Sequence, residues 1–314
     1  MALTLLEIIQ TACNELGLQP PDTAAGSNDP QTRQLVALTN RDCQGLYRDH
    51  DWTELQTEFI VNVESPTVTI GDVTNNSALI TNIPSTAGLD ATYAVSGEGQ
   101  PQAQRIAEVI DSTTVRCEMY STATEAGTAI TFAKDTYDLP DDFDRYIGQT
   151  WWDRTNHWRL IGPDSPQMDQ YLRSGIFATG PRVRWRQVGK LPSVWRIWPP
   201  PTSSNTPDAL VWEYVSRNWV MKATTPVTYA NTMTADTDIP LLDDQAVILG
   251  VKWRMWQIKG FDYAPMQTEY VDYVSQLKGR DGGNPDLFLN RRTGPFLIGT
   301  QNVQDGFFPG PGNP

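Results

Sequence analysis

The sequence predicts an α+β protein: a helical bundle core with an inserted small β-sandwich or barrel, a second β-rich segment and an extended C-terminal arm. Three observations predict it. Apolar residues recur at helical spacing near the N-terminus, after Pro140 and again after Asp243. Between the first two of these stretches the pattern switches to period-two alternation, rich in Val, Ile and Thr. The last thirty residues combine many Gly, Pro and Asn with spaced phenylalanines, which forbids a long helix or a central strand. The helical core is accordingly assigned to residues 1–57, 137–181 and 240–284. The inserted β domain takes 58–136, the β-rich segment 182–239 and the arm 285–314.

The elements follow in order. Thr4 and Glu7 form a T-x-x-E capping box, and Leu5, Ile8, Ile9, Ala12 and Leu16 make one apolar stripe that Gly17 closes. Asp29-Pro30 opens a second helix with Leu35, Val36, Leu38, Leu46 and Tyr47 on its apolar side. From Phe59 the period becomes two. Phe59, Val61 and Val63 alternate, as do Val68 and Ile70, with Gly71-Asp72 as a turn signal. Similar runs at 78–83, 91–95, 105–110, 113–119 and 129–133 give about six or seven strands. Helical patterning resumes at Pro140, so the β module is read as an insertion that returns to its starting point and projects outward.

Residues 138–172 are the most informative stretch. Pro140 suits a first helical turn, and Asp141, Asp142 and Asp144 lie where the helix dipole favours anions. Phe143, Tyr146, Ile147 and Trp151 then fall on one helical face. Gly162-Pro163 stops that helix, and Asp164-Ser165-Pro166 caps the next. Beyond it, Arg182, Arg184 and Arg186 alternate with Val183, Trp185 and Gln187, which puts the three arginines on one strand face. Strand patterning continues through Trp198 and over Leu210–Trp219, interrupted by a rigid Pro199-Pro200-Pro201.

Residues 247–258 are apolar on nearly all sides. Such a helix is either the central one of the bundle or has a second face, with Trp253 and Trp256, against another subunit. Met266, Tyr270, Tyr273, Val274 and Leu277 form a one-sided stripe ended by Gly279. The arm carries Phe288, Phe296, Phe307 and Phe308 and is expected to order only on docking against another protein.

Chemical signatures are sparse. His50 and His157 are the only histidines, and neither sits in an H-E-x-x-H pattern or beside a cysteine pair, so no metal site is expected. Gly175–Gly180 has the first spacing of a phosphate loop, but Pro181-Arg182 replaces the Lys-Ser/Thr that would reach phosphate and magnesium. Gly97-x-Gly99 runs into Gln100-Pro101 and fails as a dinucleotide fingerprint. The Asp141, Asp142, Asp144 cluster has a sufficient structural reason in a helix start. Eleven tryptophans read as core and interface. No cofactor and no enzymatic activity are expected. Three widely spaced cysteines suit a reducing compartment, and neither a signal peptide nor a membrane span is expected.

Net charge is −13, which argues against holding nucleic acid by the overall field. The charge is uneven. Residues 182–222 carry seven basic and two acidic side chains, whereas 58–136 carry three and ten. Arg182, Arg184 and Arg186 are therefore read as contacts for acidic surface on a neighbouring copy or adjoining protein.

The segments LPDDFDR and WWDRTNHWRLIGPDSP together resemble the head-to-tail adaptor proteins of tailed bacteriophages, the tail tubular protein A-like or connector family. The opening LTLLEIIQTACNELGLQPP and the helix ending LYRDHDWTEL are similar to the way such adaptors begin. The likeness covers residues 1–57 and 137–175, and more loosely 240–279. It implies a ring of about twelve copies joining the phage portal to a downstream tail or nozzle protein. Genomic DNA would pass through without sequence-specific binding, in a virion neck assembled in the host cytoplasm. Under that resemblance Arg182, Arg184, Arg186, Trp253, Trp256, Phe288, Phe296, Phe307 and Phe308 are the expected subunit or portal contacts. The alternative is a carbohydrate- or receptor-binding virion component that uses the β domain.

Overall fold

The computed structural model describes residues 2–174, 183–189, 193–201 and 209–281. The expected arm, with Phe288, Phe296, Phe307 and Phe308, lies outside the described residues, as do Arg182 and the Gly175–Gly180 loop. Helix α1, Leu5–Leu16, begins at the predicted capping box and ends at Gly17 in the left-handed region (φ 67°). Helix α2, Pro30–Asp49, is capped by Asp29. Strand β1, Gln56–Asn62, follows. Then come β2 Thr67–Val73, β3 Leu79–Thr81, β4 Tyr93–Gly97, β5 Gln104–Asp111, β6 Thr114–Cys117 and β7 Glu125–Lys134. Short strands β8 Thr136–Asp138, β9 Phe143–Tyr146, β10 Trp152–Asp153 and β11 Trp158–Arg159 lead to helix α3, Pro166–Arg173. The chain continues through β12 Arg184–Val188, β13 Val194–Trp198, β14 Ala209–Ser216, β15 Val220–Lys222, β16 Thr228–Ala230 and β17 Ile239–Pro240. It reaches α4 Asp244–Lys259 and α5 Ala264–Arg280.

The architecture corrects the expected helical bundle with a small inserted barrel. The described chain is mostly β, with five helices and four sheets, one of them a closed six-stranded barrel of β2-β3-β6-β5-β4-β7. The barrel closes around Val73, Ile80, Val95, Ile106, Val115, Ile130 and Phe132. A second sheet is centred on β14, which pairs with β1, β9 and β10, and β11 forms its outer edge. Strand β1 belongs there and not to the barrel. Its Phe59 lies opposite Trp212 and its Val61 opposite Leu210. Residues 58–62 therefore cannot be removed with the insertion without opening this sheet. Two three-stranded sheets, β12-β13-β8 and β16-β15-β17, complete the set.

The helix expected from Pro140 to Trp151 is absent. In its place, Asp142 accepts hydrogen bonds from Tyr214 Oη at 2.7 Å and Ser216 Oγ at 2.6 Å, and these tie the segment to β14. Phe143, Tyr146 and Trp151 instead enter an aromatic core with Trp185, Trp195 and Trp212. Long-range ring burial outweighs a helix signal that aromatic residues, Gly148 and Thr150 support only weakly. The second half of the prediction holds locally: Ser165 Oγ caps α3 by accepting from the Met168 amide.

Helix α4 is central, packed against α1, α2 and α5 with Val215, Trp219 and Val220 beside it. Its all-round apolarity therefore has an explanation inside one chain. At its middle, Gly250 lets the fully buried Asp42 of α2 approach the backbone, and Arg254 Nε donates to Asp42 Oδ1 at 2.9 Å. Burial pushes the Asp42 carboxyl up to about 6, against the lowering effect of Arg254 and the nearby Tyr270 hydroxyl.

A pH dependence follows. Asp42 holds its proton more tightly folded than unfolded, where the ordinary value is 3.8. Its contribution is thus greatest below about pH 4 and falls as the pH rises through about 6. The difference corresponds to about 3 kcal/mol. Urea unfolding of the wild type and Asp42→Asn between pH 4 and 7 checks this. The wild type should lose stability relative to the variant as the pH rises, and a constant difference would contradict the assignment.

Candidate functional site

Two of the predicted arginines have partners within the chain. Strand β12 lies beside the turn into α3, joined by a bridge between Ile161 and Arg184. Arg184 grips Asp164 through two hydrogen bonds of 2.8 Å, and Arg186 Nη1 reaches Asp169 Oδ2 at 3.0 Å. The fork of a guanidinium suits such paired contacts. Of the predicted tryptophans, Trp253 is buried against the rings of Tyr263 and Tyr270, with the Arg254 guanidinium over its face. Trp256 is half-buried, edge-on to the exposed Phe261 and close in sequence to the exposed Ile258.

The predicted acidic cluster is dispersed in role. Asp142 serves β14, Asp144 pairs with Arg145 at 2.7 Å, and the Asp141 carbonyl accepts from Arg217. Among the described residues no group of three or more His, Cys, Asp or Glu is placed to hold a metal ion. No helix of the described chain is long and apolar enough to cross a membrane.

Two features of the surface stand out. The first is the β10–β11 hairpin, in the same WWDRTNHWR run singled out in the sequence. Its turn carries His157 in the left-handed region (φ 57°), and Asp153 accepts from the Thr155 and Asn156 amides to close it. The hairpin presents Trp152 at 46% and Trp158 at 39% exposure, one on each of its faces, and β11 is the edge strand of its sheet. Arg154 on the turn is held by Glu58 of β1. Exposed aromatic side chains at and beside a sheet edge are components of a docking surface.

The second is a polar cavity of about 350 Å³ that brings together Arg105 of β5, Arg173 of α3 and Arg196 of β13. Arg105 is fully engaged. It pairs with the buried Asp135 and donates from Nη2 to the Ala91 carbonyl at 2.8 Å and to Thr136 Oγ1 at 3.0 Å. Arg173 pairs through Nε with Asp169 at 3.0 Å, and its guanidinium lies 4.8 Å from the Trp198 ring centroid. Arg196 has only a 3.3 Å bond from Nε to Thr136 Oγ1, with no ion-pair partner among the described residues. Burial, followed by the neighbouring Arg105 charge, lowers its pKa from the ordinary arginine value. No sequence motif announces this cavity, because its arginines come from three elements far apart in the chain. A larger cavity of about 480 Å³ borders Trp52, Leu242 and Leu277 in the helical layer, where Asp243 is occupied as the cap of α4.

No protein-family model matches the chain, and no curated protein matches it.

Proposed function

We propose that the chain is a structural virion protein, a head-to-tail adaptor whose copies form a ring between a phage portal and its tail. One observation carries the reading. The stretch that resembles the adaptor family holds the β10–β11 hairpin, whose Trp152 on β10 and Trp158 on the edge strand β11 stand exposed on its two opposite faces. A motif that displays apolar rings to solvent suits contact with another subunit better than chemistry within one. A ring needs a head-to-tail interface whose rotation closes, so each copy must offer two different faces. The hairpin is one. The Trp256, Ile258 and Phe261 corner at the end of α4 is a candidate for the other. The role is mechanical. The acidic chain, at −13 per copy, repels the duplex, and the ring guides it outward without gripping it.

Sedimentation and negative-stain imaging of the purified chain, alone and with portal protein, test this. Wild type should form closed rings or bind the portal. Trp152→Ser with Trp158→Ser should remain folded by circular dichroism and lose assembly by at least tenfold in effective affinity, since two buried aromatic anchors are removed. A chain that stays monomeric under all these conditions would overturn the proposal. Binding to glycans in that case would favour a receptor-binding role.

A further inference from the structure

We infer that the cavity between Arg105, Arg173 and Arg196 is a binding site for a phosphate group. The inference does not depend on the adaptor reading. Three observations carry it.

First, donors outnumber acceptors there. Arg173 Nη2 is buried and has no hydrogen-bond partner among the described residues. Arg196 uses one N–H of its five on Thr136. The side chains of Gln102 and Gln170 add neutral donors at the rim. A carboxylate brings two oxygens and is met by one guanidinium fork. A phosphate group brings three or four, which suits two guanidiniums meeting at an angle.

Second, the charge does not balance. Four guanidiniums, those of Arg105, Arg173, Arg186 and Arg196, gather around two buried carboxylates, Asp135 and Asp169. Both Asp169 oxygens are occupied, one by Arg173 and the other by Arg186. Glu118 lines the rim but is exposed, and it leaves a net positive charge. Within an acidic chain this is a local exception that the fold itself creates.

Third, the site is held in place. Arg105 is anchored at 4% side-chain exposure, and Thr136 accepts from both Arg105 and Arg196, which fixes their spacing. Arg173 is braced by Asp169 below and the Trp198 ring beside it. Preorganised donors need little ordering on binding. Burial and the Arg105 charge disfavour the charged form of Arg196, and an anion beside it opposes both effects.

The test uses the full chain and inorganic phosphate as the probe. Isothermal titration and thermal melting are run in phosphate and in chloride at matched ionic strength, with acetate as the carboxylate comparison. Saturable binding with a raised melting temperature is expected in phosphate and not in chloride or acetate. Arg196→Gln should weaken it by about tenfold or more, the loss of one charge-assisted contact. Arg33→Gln, at an exposed arginine of α2 outside the cavity, should leave it unchanged. A second measurement covers the case in which Arg196→Gln fails to fold. Phosphate should protect Arg196 and Arg173 of the wild type from phenylglyoxal, read by peptide mass spectrometry. Absence of saturable binding, equal binding by folded Arg196→Gln, or no protection of these two arginines would overturn the inference. Equal affinity for acetate would replace the phosphate site by a general carboxylate site and so overturn its specificity.

Discussion

Gly250→Ala is expected to destabilise the chain by about 3–5 kcal/mol, although alanine is the better helix former by about 1 kcal/mol. The sign reverses because of one contact. A methyl group at position 250 would sit 1.9 Å from Asp42 Oδ2 and 2.2 Å from its Cγ. Neither group can yield easily. Asp42 is fully buried on α2 and tied to Arg254 on α4, so moving it means separating two packed helices or breaking a buried ion pair. A drop of roughly 10 °C in melting temperature should follow. The measurement is thermal unfolding by far-UV circular dichroism for Gly250→Ala, Asp42→Ala and the double variant. The double variant should be far more stable than the sum of the single losses predicts, because the second change removes the atoms the first collides with. A single variant as stable as the wild type, or simple additivity, would refute the close approach.

That contact also shows where the sequence is readable and where it is not. Local signals translate directly. The Thr4–Glu7 capping box, the Asp29-Pro30 start, the Ser165 cap and the turn at Gly17 each depend on residues within one turn, and each is found. The alternating runs at Val68–Ile70 and 129–133 are strands for the same reason, although Val68 and Ile70 lie on the solvent face of β2 and Val73 fills the barrel. Gly250 is the opposite case. A glycine inside an apolar helix looks like a weakness until the aspartate it accommodates is located two hundred residues earlier.

The segment after Pro140 fails for a related reason. Proline followed by three aspartates and an i, i+3, i+4, i+8 stripe fits a helix start. It fits equally well a chain whose Phe143, Tyr146 and Trp151 all reach one aromatic core. Strands of two to four residues have almost no signal of their own, and β9 and β10 exist because β14 offers them partners. The paired arginines of β12 are similar. Alternation places them on one face, but only the turn before α3 and the helix itself supply Asp164 and Asp169 as their partners. The arginine cavity lies beyond any local pattern, since β5, α3 and β13 meet only in the folded chain.

The aromatic core gives the last expected result, and it decides between the two readings of residues 143–151. Trp212→Ala should cost about 3–5 kcal/mol. Trp212 is fully buried on β14, with ring centroids of Phe59, Tyr146, Tyr214, Phe143 and Trp195 between 5.0 and 6.3 Å away. Its indole N–H has no hydrogen-bond partner among the described residues, so the loss is one of packing and of the cavity left behind. Trp212→Phe, which keeps a ring in place, should cost less than half as much. The informative readout is local. The Ile147 amide donates to the Glu213 carbonyl at 3.1 Å, and Arg145 and Tyr146 lie opposite Val215 and Tyr214. Loosening β14 should therefore speed amide hydrogen exchange over 143–147 together with 210–216, while α1 keeps its protection. A helix over the same residues would satisfy its own amides and keep their protection when Trp212 is removed. Unchanged exchange over 143–147, or a loss of stability under about 1 kcal/mol, would show that this segment does not depend on β14.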